Sequence, residues 1–345
     1  MLCGWCLEGV RVGMLEDVRS LVWYGIQYLV WYVPYRIVLG SSWHNPASII
    51  GDTANSNSVS LLSEMLTPSR NRPPLLPPKA TAIKLFVAGS TLGPIVDSLH
   101  NQCLLSYDFA PVTLALPPLI ARSSTTATPL FCSSWAVPPL LGIAYIVLGY
   151  ILPRIMELLT QMFRTQSSRS DAGDISSKIA VTTEDKSVLQ TRAILAVTST
   201  AAVIKLSEFL ETHTGMTYYF NNHPINLDTN TNLIIMLLAD ALQWISLDRT
   251  SVALLAAALT AVGGPLSELP FVANGFWHYN IDSADYFPLS GTLFESGGIA
   301  DVIVSRLFGE GYNTLALSSI TGPCYFAVTL DAIALGRYFE QRNEA

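Results

Sequence analysis

Five carboxylates stand inside or beside apolar runs of this sequence: Asp97, Glu208, Asp240, Glu268 and Asp331. An ionisable group placed in hydrocarbon costs at least ~2.5 kcal/mol, so such residues mark a proton relay or solute path, or else pair with a neighbour. Lys205 lies one helical turn before Glu208, where the two form an ion pair on one helix face. That pairing, with the other acids turned toward a hydrated bundle interior, is the simpler account. As a set the acids define one function class, a small-solute or proton-coupled carrier.

The remaining chemistry-bearing residues are scattered. His100, His213, His223 and His278 fall near the ends of apolar segments or in loops, without the helical spacing that makes a metal site. The pair Cys3 and Cys6 lacks a second pair or histidines to complete a tetrahedral zinc site. With Cys103, Cys132 and Cys324 the cysteine count is odd, which argues against a disulfide framework. There is no nucleophile elbow. The sequence predicts no catalytic residue, no metal and no cofactor.

Half of the 345 residues are hydrophobic and only 13% are charged, against ~25% charged in soluble domains, and mean hydropathy is +0.39. This is the composition of an all-α polytopic membrane protein. A formal charge of -7 excludes a nucleic-acid partner, since there is no basic stripe to neutralise phosphates. Apolar segments near 82–100, 131–152, 190–210, 232–247, 251–273 and 319–340 predict a six-transmembrane-helix bundle. Thirteen Lys and Arg lie in the segments before the first, between the second and third, between the fourth and fifth, and after the sixth. The opposite loops hold Arg122 and Arg306. Translocated loops are poor in basic residues, so both termini are expected in the cytosol or its equivalent. Lys84, Arg192 and Arg337 sit where a long side chain reaches the same basic side.

The membrane domain, 82–345, follows an N-terminal region, 1–81. There Leu21–Val33, at ~1.5 Å per residue, is too short to span ~30 Å and reads as an interfacial or re-entrant helix. It carries neither a secretory signal pattern nor that of a transit peptide. The Ser-, Asn- and Pro-rich stretch 45–79 reads as a linker. A flexible cytosolic loop is expected at about 164–188, and a Gly-rich insertion on the translocated side at about 290–318. Trp135, followed by Pro138, Pro139 and Gly142, marks a membrane entry. Paired prolines are tolerated near a first turn, and the indole suits the headgroup boundary. Between the fourth and fifth segments only a few residues remain, with Asp248 as candidate N-cap of the fifth helix or as a carboxylate presented to a partner.

Four groups of residues give the chain a resemblance to the Insig family of insulin-induced membrane proteins, running from about 82 to 340. They are Ser133–Pro139 with Gly142; Arg192 to Lys205 and Leu206; Trp244 through Asp248 and Arg249; and Asn274–Tyr279, followed by Pro323–Phe326 and Gly336–Arg337. The resemblance implies six helices in the endoplasmic reticulum with both ends cytosolic; a plastid or other internal membrane is the alternative. It implies a non-enzymatic scaffold that binds an oxysterol or other lipid. Its partners would be sterol-sensing-domain membrane proteins, namely the SREBP escort protein and HMG-CoA reductase. By the same resemblance Trp244, Asp248 and Arg249 are the partner-binding candidates, and Trp135, Pro138, Pro139, Ala196 and Thr231 the lipid-binding ones. Ala196 and Thr231 stand where the family carries an aromatic and a glutamine linked to its sterol response.

Overall fold

The computed structural model describes residues 75–99, 104–115, 129–168, 186–220, 223–295 and 297–341. By internal contacts the chain divides into one unit of 78–156 with 179–345, and another of 1–77 with 157–178. Of the second, residues 75–77 and the helical stretch 157–168 are described. The interfacial segment Leu21–Val33, most of the 45–79 linker, Cys3, Cys6, His100, Cys103 and Arg122 lie outside the described residues.

The helices α1 (Lys79–Asp97), α2 (Val137–Ile146), α4 (Lys186–Thr212), α5 (Thr229–Leu247) and α6 (Ser251–Ala273) fall on the first five apolar segments, and α3 (Leu152–Ser168) runs on beyond the expected end of the second. Four runs are long and apolar enough to cross a membrane: Val137–Gln161, Lys186–Thr212, Thr229–Leu247 and Ser251–Ala273. The second apolar segment is corrected at its start. Pro129–Ser134 forms a strand, and the helix begins only at Val137, with Pro138 and Pro139 in its first turn. Residues 164–168, expected as loop, continue α3.

Strands occupy the connections. β1 (Leu105–Tyr107) pairs with β6 (Trp277–Tyr279), tying the exit of α1 to that of α6. β2 (Pro111–Ala115) pairs with β3 (Pro129–Ser134), and β4 (Thr217–Phe220) with β5 (His223–Asn226). The insertion after β6 is not all loop. It folds as the short α7 (Thr292–Glu295), α8 (Ile299–Phe308) and a 3-10 turn at Tyr312–Thr314.

The last helix, α9 (Thr321–Gln341), is the hub, packing against α1, α2, α4, α5 and α6. It falls outside the runs apolar enough to cross a membrane alone because, buried among helices, it carries Asp331, Arg337 and Glu340. Each finds a partner on another element. The Tyr145 hydroxyl donates to Asp331 (2.7 Å), Arg154 grips both oxygens of Glu340 (2.7 and 2.9 Å), and Arg337 donates to Asp248 (2.5 Å).

Where α9 meets α2 and α3 the backbones touch. Pro153 has no N–H to offer the Gly149 carbonyl, and the helix takes up a wider π-turn over Val147–Ile151. A side chain on Gly336 would collide with the Gly149 carbonyl, and one on Gly149 would lie 2.5 Å from the carbonyl of Ala332. Such close approach is how small residues pack membrane helices. Gly336→Val is expected to lower stability by about 1–3 kcal/mol through overpacking, read as a fall in melting temperature of the detergent-purified protein. An unchanged melting temperature would show that the crossing is loose.

Candidate functional site

Two places gather the chemistry. The first is the turn from α5 to α6. Asp248 does not cap α6; Thr250 does, its hydroxyl accepting from the Ala253 N–H, while Asp248 closes α5. The Asp248 carboxylate accepts from the Thr250 hydroxyl (2.7 Å) and from Arg337, and its side chain is only 8% exposed. It is therefore engaged within the molecule, not held out as a free carboxylate. The Trp244 indole donates to the Thr250 carbonyl (3.1 Å). Arg249 is left-handed, with φ 56°, and its Nε donates to the Ile245 carbonyl (2.6 Å). Glycine is the residue that ends a helix this way at little cost; an arginine there stores strain. The three partner candidates thus form one locked corner, with Arg249 exposed at its tip.

The second place is a cavity of about 90 Å³ at the opposite ends of the helices. Its lining includes the apolar Val96, Leu104, Leu141, Ile204 and Val328 and the polar Asp97, Glu268, Tyr145, Tyr279, Thr321 and Tyr325. Glu268 is buried yet fully provided for. Tyr279 (2.6 Å) and Trp277 (3.3 Å) donate to one oxygen, and Tyr325 (2.8 Å) to the other. Asp97 accepts from Tyr107 at 2.5 Å. On β1, burial first and Asp97 second hold the Tyr107 phenol well above its ordinary pKa. On β6, burial and then Glu268 do the same for Tyr279. Both phenols therefore stay protonated donors to their acids.

The sequence-derived acids part company here. Asp97 and Glu268 share the cavity. Asp331 is held by Tyr145, at the cavity wall. Glu208 pairs with Lys205, as its spacing implies. Asp240 lies between helices, 2% exposed, with no hydrogen-bond partner on either oxygen among the described residues.

The five lipid candidates do not converge. Trp135 is 72% exposed in the turn before α2, Pro138 and Pro139 follow it, and Thr231 lies in the first turn of α5, where its N–H donates to Asp228. Ala196 is fully buried in a helix contact with Leu247 and Ala253. None of these lines the cavity. Tyr145, Tyr279 and Tyr325, which do line it, carry no site signal in the sequence, because a phenol reads as core or connection until a carboxylate is seen opposite it.

A model of the insulin-induced protein (INSIG) family matches residues 80–278. The chain belongs to this family. The match takes in α1 to α6, and with them the Trp244–Arg249 corner and Glu268; the α7–α8 insertion and α9 lie beyond it. Among solved structures the chain is similar to MvINS, a mycobacterial Insig homolog from Mycobacterium vanbaalenii. Identity is 15% and the TM-score 0.42, over 77% of this chain and 96% of that one. A cross-linked MvINS trimer gives 16% and 0.43 over the same shares. No curated protein matches the chain. This INSIG member is thus a mostly helical membrane protein of the Insig kind.

Two measurements check the site geometry. A double-mutant cycle of Asp248→Ala and Arg337→Ala is expected to show coupling of about 0.5–3 kcal/mol, as for residues in contact; strict additivity would place the pair apart. Tyr325→Phe removes a donor from a buried carboxylate and is expected to destabilise by about 1–3 kcal/mol. A melting temperature equal to the parent's would show that Glu268 does not depend on this phenol.

Proposed function

We propose that this INSIG member is a non-enzymatic regulatory scaffold of six membrane-spanning helices in the endoplasmic reticulum. It holds a lipid between its helices and retains sterol-sensing-domain partners, the SREBP escort protein and HMG-CoA reductase, through the Trp244–Arg249 corner. The observation that carries the partner half is the left-handed Arg249. An exposed residue kept in a strained backbone where glycine would be easier points to a role outside the fold. Asp248, held by Arg337, acts in this reading by positioning the corner.

For the lipid half the support is the cavity. At about 90 Å³ it exceeds the ~10–15 Å³ that one water needs, and it has room for the polar end of an amphiphile whose tail runs out between helices. An oxysterol or diacylglycerol would place its hydroxyl against Glu268 or Asp97. Trp135, Pro138, Pro139, Ala196 and Thr231 belong to the lipid reading through the family alone. A second reading, a proton-coupled or small-solute carrier, is favoured by Asp97 and Glu268 sharing that cavity. The Tyr107 donor on Asp97, the Tyr279, Trp277 and Tyr325 donors on Glu268, and the separation of Glu208 and Asp240 favour the scaffold.

Arg249→Gly separates a partner role from a structural one. Relieving the strained φ is expected to leave the melting temperature equal or higher while co-purification of a co-expressed sterol-sensing-domain protein falls. Undiminished capture would remove the corner from the partner surface. For the lipid, the purified protein is labelled with photoreactive sterol and diacylglycerol probes. Saturable labelling, reduced by Glu268→Gln, is expected; labelling by neither would favour the carrier.

A further inference from the structure

The α7–α8 insertion lies outside the family match and takes no part in either site above. The ten residues of α8 divide sharply. Val304 and Phe308 turn inward, joining a cluster with Leu269 and Val272 of α6 and with Tyr312 and Leu317. On the opposite face, Ile299 is 81% exposed, Val302 50%, Ile303 52% and Leu307 66%, and Leu293 of the adjoining α7 is 79% exposed. These α8 positions recur at the three- and four-residue spacing of one helix face. Arg306, also exposed, stands among them. A helix with one apolar face packed on protein and a second turned outward has no reason to keep the second in water.

Depth decides what covers it. Leu269 and Val272, on which α8 rests, belong to the last two turns of a run apolar enough to cross a membrane, which ends at Ala273. The same level carries an aromatic girdle. Phe109 lies against Phe276 (4.8 Å between centroids), Phe271 stacks on Trp277 (5.0 Å), and Trp135 hydrogen-bonds back to Ala110 beside them. Aromatics of this kind mark the boundary between headgroups and hydrocarbon. At ten residues and ~15 Å, α8 is too short to span, but it stands at the height where the bilayer surface begins. We infer that α8, with Leu293, docks on the lipid surface of the translocated leaflet, burying Ile299, Val302, Ile303 and Leu307 among acyl chains while Arg306 reaches a lipid phosphate. An amphipathic helix in the interface sinks ~5–10 Å below the headgroup level and offers its cation to the phosphates.

Nitroxide accessibility in vesicles of phosphatidylcholine and phosphatidylglycerol tests this on the full chain. A ketone-bearing residue placed at Ile303, and separately at Leu307, accepts the spin label without disturbing the native cysteines. Asn313, exposed on the nearby 3-10 turn, serves as the aqueous reference. Both α8 positions face outward, and the parent's melting temperature confirms the fold of each labelled protein. The expected result is collision with dissolved oxygen several-fold above that with a water-soluble nickel chelate at both α8 positions, and the reverse at Asn313. Free access of the chelate at Ile303 would place the helix in water and overturn the proposal. Protection from both reagents would overturn it equally, assigning the face to a protein partner or a second copy.

Discussion

Hydrocarbon offers no hydrogen bonds, so a polar side chain carried into the middle of a helix bundle is costly unless another helix supplies a partner. α9 is built around that constraint. Tyr145 serves Asp331 from α2, Arg154 serves Glu340 from α3, and the Thr200 hydroxyl of α4 donates to the Ala327 carbonyl. Tyr325 reaches Glu268 on α6, Arg337 reaches Asp248 at the end of α5, and Lys84 of α1 stands over the Phe339 ring. Every other long helix is thereby registered to α9 by at least one specific contact. The Gly149–Gly336 crossing brings the backbones near enough for those side chains to meet. Apolar packing alone gives membrane helices little registry, because lipid is as apolar as leucine.

The same bonds build both candidate sites. At one end, Arg337 fixes Asp248 and so the corner that holds Trp244 and Arg249. At the other, Tyr325 from α9 and Tyr279 from β6 close around Glu268. A change in α9 would reach both ends, so the cavity and the corner share one structural element. The two sites differ in kind. The corner is a hydrogen-bonded surface with one strained, exposed residue; the cavity is a small, mostly apolar pocket that carries two carboxylates among its lining.

Much of this was legible in the residues. Apart from the second, the long apolar segments match helices to within a few residues at each end, because hydropathy acts on one helix at a time. The Lys205–Glu208 pair followed from spacing within a single turn. The errors come from neighbours distant in sequence. Residues 131–134 look like the start of a span but pair with β2, and the insertion reads as Gly-rich loop although its apolar residues fold onto the end of α6. Asp248 looks like an N-cap, but Thr250, two residues on, wins that role once Arg337 claims the carboxylate.

The sequence by itself determined that the chain is a helical membrane protein of the Insig family and that its buried acids require an explanation. Those properties are set by composition and local order, and they survive whatever the helices do to one another. Only the tertiary structure decided which acid meets which tyrosine, that α9 is the hub, and that the lipid candidates named by family position do not line the cavity at Glu268. Partners separated by as many as 186 residues, as Tyr145 and Asp331 are, leave no periodic mark in the chain. Their pairing exists only once the helices are packed.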